Sequence, residues 1–222
     1  MSKSIVMMGA TGAVGQETLK TLLQMPEVTK LTLLGRRKSE DISDNKVTQH
    51  IIDIHNPETY KEFISGHDTA ICTLGVGEPS KMSKEEFLKI DKEAVLKFGQ
   101  ACKEHGVKHF ELLGAIGTNS SSMSFYLRAK GELEDGLREL KFERLSLFRP
   151  SMILTPTNRY GISQFIVLHT WPILNPFLIG PLKPFRGIKV EELGRAMAKN
   201  ILENEKGEEI LTWEDYIKIN RK

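Results

Sequence analysis

Residues 4–24 read SIVMMGATGAVGQETLKTLLQ, and their reading decides the fold. Residues 4–8 form an uninterrupted apolar run, the pattern of a strand buried on both faces of a parallel sheet. Residues 13–24 carry Val14, Leu19, Leu22 and Leu23 at helical spacing. Between them stand Gly9, Thr11, Gly12 and Gly15. Strand, glycine turn and helix in this order make the dinucleotide-binding unit. The amide groups at the start of a helix point outward without partners and carry partial positive charge, so they attract a diphosphate. The phosphates come close only where no side chain intervenes, which calls for Gly9 and Gly12. Gly15 lets the helix lie against the strand, Ala13 and Val14 open the helix with free amides, and Thr11 offers a hydroxyl.

Working outward, strands are expected at residues 31–34, 49–54, 69–74, 107–113 and 145–148. Helices are expected at 85–104, where Phe87, Leu88, Val95, Leu96, Phe98 and Ala101 face inward, and at 125–139. After Pro150 prolines become frequent and periodicity weakens, until a helix at 190–202, a last strand at 209–212 and a short helix at 213–219. Alternation of strands and helices predicts an α/β chain with a doubly wound parallel sheet. The expectation is a single domain, residues 1–222, in which residues 151–222 form a less regular substrate-side lobe on the same sheet.

Composition bounds the rest. The chain has 222 residues, 40% hydrophobic and 27% charged, which argues against disorder. A net charge of +2 gives no reason to expect nucleic acid, and Arg36, Arg37 and Lys38 are too few for a nucleic-acid arm. Cys72 and Cys102 make no disulfide framework, and no CxxC pair suggests zinc. With no secretory leader pattern at the start, the expected setting is cytoplasmic. Residues 165–182, FIVLHTWPILNPFLIGPL, are strongly apolar, but three prolines argue against a membrane span. They are expected to be buried or to line a pocket, with Trp171, Phe177 and Phe185 as candidate walls. Within that run, His169 reads as a buried histidine.

The second strand ends in Gly35, Arg36 and Arg37, with no carboxylate where a ribose diol would be bound. A carboxylate repels a 2′-phosphate, whereas a guanidinium clamps it, so Arg36 and its neighbour Arg37 predict NADP(H). Asp53 and Ile54, after the third strand, are expected at the adenine. Leu74 and Gly75, after the fourth, are expected at the carboxyl edge where ligands bind such sheets.

Tyr126 and Lys130 lie four apart on one helix face. A phenol is a poor acid or base at neutral pH, and a neighbouring ammonium is expected to lower its pKa. Tyr126 is then the expected proton-exchange group and Lys130 its activator. The GxxGxxG spacing, residues 125–134 (FYLRAKGELE) and residues 149–154 (RPSMIL) together resemble the atypical, extended-type short-chain dehydrogenase/reductases. Among these the chain looks like the Tat-interacting-protein-like NAD(P)-binding oxidoreductase branch, over roughly residues 4–202. The resemblance implies a Rossmann sheet, NADP(H), and Tyr126 with Lys130 as both active pair and cofactor contacts. It also implies that Pro150 and Met152 pass near the nicotinamide. These enzymes usually carry a serine or threonine at the end of the fifth strand, where this chain has Leu113, Gly114 and Ala115. Thr118, Ser120, Ser121 and Ser122 are the nearest hydroxyls in sequence that could replace it. Two readings follow: an NADP(H)-dependent oxidoreductase acting on a carbonyl or secondary alcohol of a small, fairly apolar substrate, or a catalytically weak NADPH-binding sensor or assembly protein. Dimerisation is common on such scaffolds.

Overall fold

The computed structural model describes residues 2–39, 42–77, 81–156 and 175–222. Its centre is a seven-stranded sheet in the order β3-β2-β1-β4-β5-β6-β9. The strands are β1 (Lys3–Met8), β2 (Val28–Gly35), β3 (Val47–Ile51), β4 (Thr69–Cys72), β5 (His109–Leu113), β6 (Arg144–Phe148) and β9 (Gly207–Leu211). Every neighbouring pair is parallel. The order reverses between β1 and β4, so a crevice opens beyond their carboxyl ends.

The apolar run of β1 explains the layers. Ile5 and Met7 face a core shared with α1 (Ala13–Gln24), α5 (Val190–Asn200) and α6 (Trp213–Arg221). Val6 and Met8 face a second core, shared with α3 (Val95–Glu104) and α4 (Phe125–Glu139). Both faces of the strand are thus covered, as in doubly wound sheets. The helices on the first face lie very close: a Cβ on Gly194 in α5 would stand 2.6 Å from Cβ of Glu17 in α1.

Several expected elements differ in extent. The third strand stops at Ile51 rather than running to Ile54, because Asp53 turns the chain by accepting a hydrogen bond from His55 N–H at 2.9 Å. The fourth ends at Cys72, after which the Thr73 hydroxyl bonds the Gly9 carbonyl at 3.0 Å. The fifth begins at His109, since Lys108 and His109 both donate to the Asp68 carbonyl. The helix expected over residues 85–104 is three segments: α2 (Lys84–Leu88), a π-helical stretch (Lys89–Ala94) and α3. Ser83 and Glu86 form a capping box that starts α2. Asp91, within the π-helical stretch, is buried.

Beyond Phe148 the chain forms β7 (Ile153–Leu154) and β8 (Ile188–Lys189), a separate two-stranded sheet that the sequence reading missed. Trp171, His169 and the rest of residues 157–174 lie outside the described residues. The described end of the apolar run is not buried: Phe177 and Leu182 are exposed on short 3₁₀ turns, Ile179 is exposed between those turns, and Phe185, just beyond the run, is exposed as well. The prolines that break this segment also prevent a continuous helix whose apolar side could pack inward. No helix among the described residues is long and apolar enough to cross a membrane.

Candidate functional site

The turn between β1 and α1 is built for close approach. Gly9 has φ of +97°, a left-handed conformation suited to glycine, and a Cβ there would lie 2.5 Å from Leu74 N. Gly12 donates to the Gly9 carbonyl at 3.0 Å and opens α1 with no side-chain cap and no acidic residue in the first turn. The amides of Ala13, Val14 and Gly15 therefore begin the helix, although the Val14 side chain itself belongs to the core.

A cleft of about 390 Å³ opens beside this turn. Gly9, Ala10 and Thr11 line one end, and Gly35, Arg36 and Arg37 another. Leu74 and Ile54 close it from neighbouring strand ends. Arg36 and Arg37 are exposed. Asp53 is not among the cleft residues, its carboxylate being engaged by His55 N–H, so only Ile54 of that expected pair reaches the wall. Sequence reasoning missed Ser39, Gln49 and His50, which also line the cleft. The Gln49 amide clamps Ser39 from both sides, accepting from its N–H at 2.8 Å and donating to its carbonyl at 3.2 Å. His50 stacks on Phe63 with ring centroids 3.6 Å apart. In the sequence Gln49 and His50 are polar residues on an edge strand, and only the fold aims them at a common space.

Gly75 follows Leu74 but is not among the residues that line the cleft. A Cβ on it would lie 3.1 Å from Asp91 Oδ1 and 3.9 Å from Lys130 Nζ. Lys130 and Asp91 are paired at 2.8 Å, and both side chains are buried. The second oxygen of Asp91 accepts from Val76 N–H at 2.7 Å. Burial alone would lower the pKa of Lys130, but Asp91 and Tyr126 outweigh it and raise it, so the ammonium stays charged. Tyr126, half-buried on α4, packs against the Phe87 ring with centroids 5.6 Å apart. Its phenol is raised above its ordinary value, first by burial and further by Asp91, with Lys130 opposing. The Lys130 ammonium does pull this pKa down, as expected, but burial outweighs it and Asp91 adds to the rise, so the net shift is upward.

The end of β5 offers no hydroxyl at Gly114 or Ala115. Thr118 is buried and donates to the Ala115 carbonyl at 2.7 Å, so its hydroxyl serves the loop. Ser122 Oγ accepts from Ser124 N–H, and Ser120 N would lie 2.1 Å from a Cβ on Gly131, which fixes this loop tightly on α4. Pro150 is buried, its carbonyl accepting from Ile116 N–H. Met152 is half-buried and its carbonyl accepts from Ile188 N–H. The segment is anchored by Arg149, whose guanidinium grips the buried Glu134 carboxylate of α4 through Nε and Nη2.

Residues 9–166 match the family of NAD(P)H-binding proteins. The chain is 39% identical over 155 residues to the protein HTATIP2 of Rattus norvegicus, covering 69% of this chain and 64% of that one. It is 33% identical over 151 residues to the protein FMP52, mitochondrial, of Meyerozyma guilliermondii, covering 67% and 64%. The match thus spans under two thirds of either relative's own length. In fold it is similar to the crystal structure of the Bordetella bronchiseptica enzyme WbmH in complex with NAD+, with a TM-score of 0.69 at 16% identity over 95% of this chain and 75% of that one. The expected cytoplasmic setting does not hold against these relatives: FMP52 proteins of several yeasts are named as mitochondrial. The thiols and the opening residues carried no information on the compartment.

Proposed function

The chain belongs to the NAD(P)H-binding family, and from that premise we propose that it is an NADP(H)-dependent oxidoreductase acting on a carbonyl or secondary alcohol of a small, fairly apolar substrate. The observation that carries the reading is the glycine turn, where added side chains at Gly9 and Gly15 would run into backbone while the first amides of α1 remain open. These residues fit a dinucleotide. The amides of Ala13 and Val14, with the Thr11 hydroxyl, would hold the diphosphate. Arg36 and Arg37 would bind a 2′-phosphate, Ile54 and Leu74 would flank the adenosine half, and Pro150 and Met152 would border the nicotinamide half. Bound there, the nicotinamide supplies or accepts a hydride.

The chain's own chemistry is the proton. Tyr126 is the group that gives it to a carbonyl oxygen, and its protonated form is the one that burial favours. Lys130 keeps a positive charge nearby and offers donors to ribose hydroxyls. Phe125 and Met152 give the substrate side an apolar character. The names of the yeast relatives support a mitochondrial setting, which fractionation of the native cells would test.

The test is NADPH oxidation, followed by absorbance, against a panel of apolar aldehydes and ketones. Wild type should turn over at least one of them. Tyr126→Phe should lose at least about 100-fold in kcat, the lower range of acid–base contributions, with NADPH affinity nearly unchanged. Full activity in Tyr126→Phe would remove Tyr126 from the role. A second reading, an NADPH-binding sensor or assembly protein with little turnover, is favoured by the end of β5, where Thr118 is committed to the loop and Gly114 and Ala115 bring no hydroxyl. Tight NADPH binding with no oxidation across the panel would select it.

A further inference from the structure

The proposed reaction does not explain Asp91. It is a carboxylate lying 2% exposed in a π-helical stretch, separated from α4 in the chain by α3 and β5, and both its oxygens are engaged. Oδ1 meets the Lys130 ammonium at 2.8 Å and Oδ2 accepts from Val76 N–H at 2.7 Å. Gly75 leaves just enough room, since a Cβ there would touch Oδ1 at 3.1 Å. A buried charge is retained at a cost in desolvation, and this one stands beside the only residues proposed to move a proton. π-helical turns also concentrate at functional sites.

We propose that Asp91 is the positioning residue of the Tyr126–Lys130 pair: by holding the ammonium and countering its charge, it keeps Tyr126 in the phenol form that donates a proton to a carbonyl. The inference rests on the reductase reading and gives it a direction. In reduction, with a hydride from a bound nicotinamide forming the new C–H bond at the carbonyl carbon, the proton leaves Tyr126 Oη for the carbonyl oxygen, the O–H bond of the phenol breaks as that of the product alcohol forms, and water returns a proton to the phenolate. A phenolate at rest, in contrast, would favour taking a proton from an alcohol.

The groups facing this centre come from four elements. Asp91 stands on the π-helical stretch, with Phe87 of α2 adding an apolar ring. Lys130 and Phe125 come from α4, and Lys84 Nζ of α2 lies over the Phe125 ring, 5.2 Å from its centroid. From β4 the buried Cys72 faces Lys130, its thiol pushed up to about 12 by burial and therefore uncharged at neutral pH. Asp91 is the carboxylate in this set. Its removal leaves the ammonium as the charge nearest the phenol.

The experiment is a phenol titration of the free protein by ultraviolet difference absorbance, needing neither cofactor nor substrate. Tyr126 is isolated by subtracting the matching Tyr126→Phe protein. Asp91→Asn keeps an acceptor for Val76 and removes the charge. It should ionise Tyr126 at a pH lower than wild type by about one unit or more, the scale of a near charge. Asp91→Glu, which retains a carboxylate, should titrate close to wild type. Should Asp91→Asn fail to fold, Lys130→Met is compared with Asp91→Asn/Lys130→Met, which removes both buried charges together. The double variant should then ionise at the lower pH. A Tyr126 titration unmoved or raised by loss of the Asp91 charge overturns the proposal. Because no turnover is measured, that result stands apart from any failure of the reductase reading, which the carbonyl panel reports.

Discussion

A methyl group on Gly15 would stand 2.2 Å from the carbonyl oxygen of Gly9. Both partners are backbone, so neither can swing aside. Gly15→Ala should therefore displace α1 from β1 and cost on the order of 1–3 kcal/mol. That is roughly 2–12 °C in Tm for a chain of this size. Dinucleotide affinity should fall together with Tm, and calorimetry with a binding titration checks both. An alanine variant with wild-type stability and affinity would show that the turn is looser than its geometry indicates.

Arg36 and Arg37 carry the proposed preference for the phosphorylated cofactor. Arg36→Ala should weaken NADPH binding about 10-fold or more, the loss of one charge-assisted contact, while NADH binding changes little. The Arg36→Ala/Arg37→Ala protein should discriminate least. Equal losses for both cofactors would assign the arginines to general attraction instead of recognition of the 2′-phosphate.

Stability should depend on pH through a polar network on the other core face. Glu111 is fully buried between β5 and α5, and burial pushes its carboxyl up to about 8 against the pull of Asn200 and Arg144. Its Oε1 accepts from Asn200, while Oε2 has no hydrogen-bond partner. The sign follows from proton counting. Between the ordinary carboxyl range and pH 8 the folded chain holds a proton that the unfolded chain has lost, so stability declines as pH rises across this window. Glu111→Gln should remove that decline, leaving the variant more stable than wild type by roughly 1–3 kcal/mol at pH 8 and nearly equal at pH 5. His109 acts on the acid side: burial, with help from Arg144 and Lys3, holds its ring neutral, so stability also falls below the ordinary histidine pKa. Thermal unfolding from pH 5 to 9 is the measurement, and parallel Tm profiles for the two proteins would refute the role of Glu111.

Arg144 ties this network together. It donates to Glu209 Oε1, to the carbonyls of Asn200 and Glu203 and to Asn200 Oδ1, all from a buried guanidinium. Arg144→Met fills similar space but strands Glu209 and several acceptors. A loss of about 3–5 kcal/mol is expected, as for a broken buried pair. A double variant, Arg144→Met with Glu209→Gln, should recover part of it. No recovery would mean that the stranded acceptors, and not the charge of Glu209, dominate the loss.

Much of this molecule is legible in its sequence because β1, its glycines and α1 are local: four apolar residues and a helical stripe specify their partners without reference to the rest of the chain. Arg36, Leu74 and Ile54 were placed at the cleft by counting strand ends, which works because parallel strands share one carboxyl edge. Asp91 was not legible. A lone aspartate in a helical pattern looks like a solvated residue, and only the π-helical turn and the crossing of α4 bring it to Lys130. The expected effect of Lys130 on Tyr126 has the right sign, but the net shift is upward because burial of the phenol, which residue spacing on a helix does not reveal, outweighs it. The exposed Phe177 and Leu182 eluded a reading that equated apolar runs with burial, which fails where proline prevents the segment from forming an element that can pack.

The last strand of the sheet has a consequence for synthesis. β6 ends at Phe148 and finds its outer neighbour only in β9, which begins at Gly207. While a ribosome makes the intervening residues, the nucleotide turn can already have formed, but β6 presents a bare row of amides and carbonyls to its surroundings. A nascent chain stalled in that interval would expose an adhesive border, and chaperone capture should peak there and subside once Leu211 has emerged.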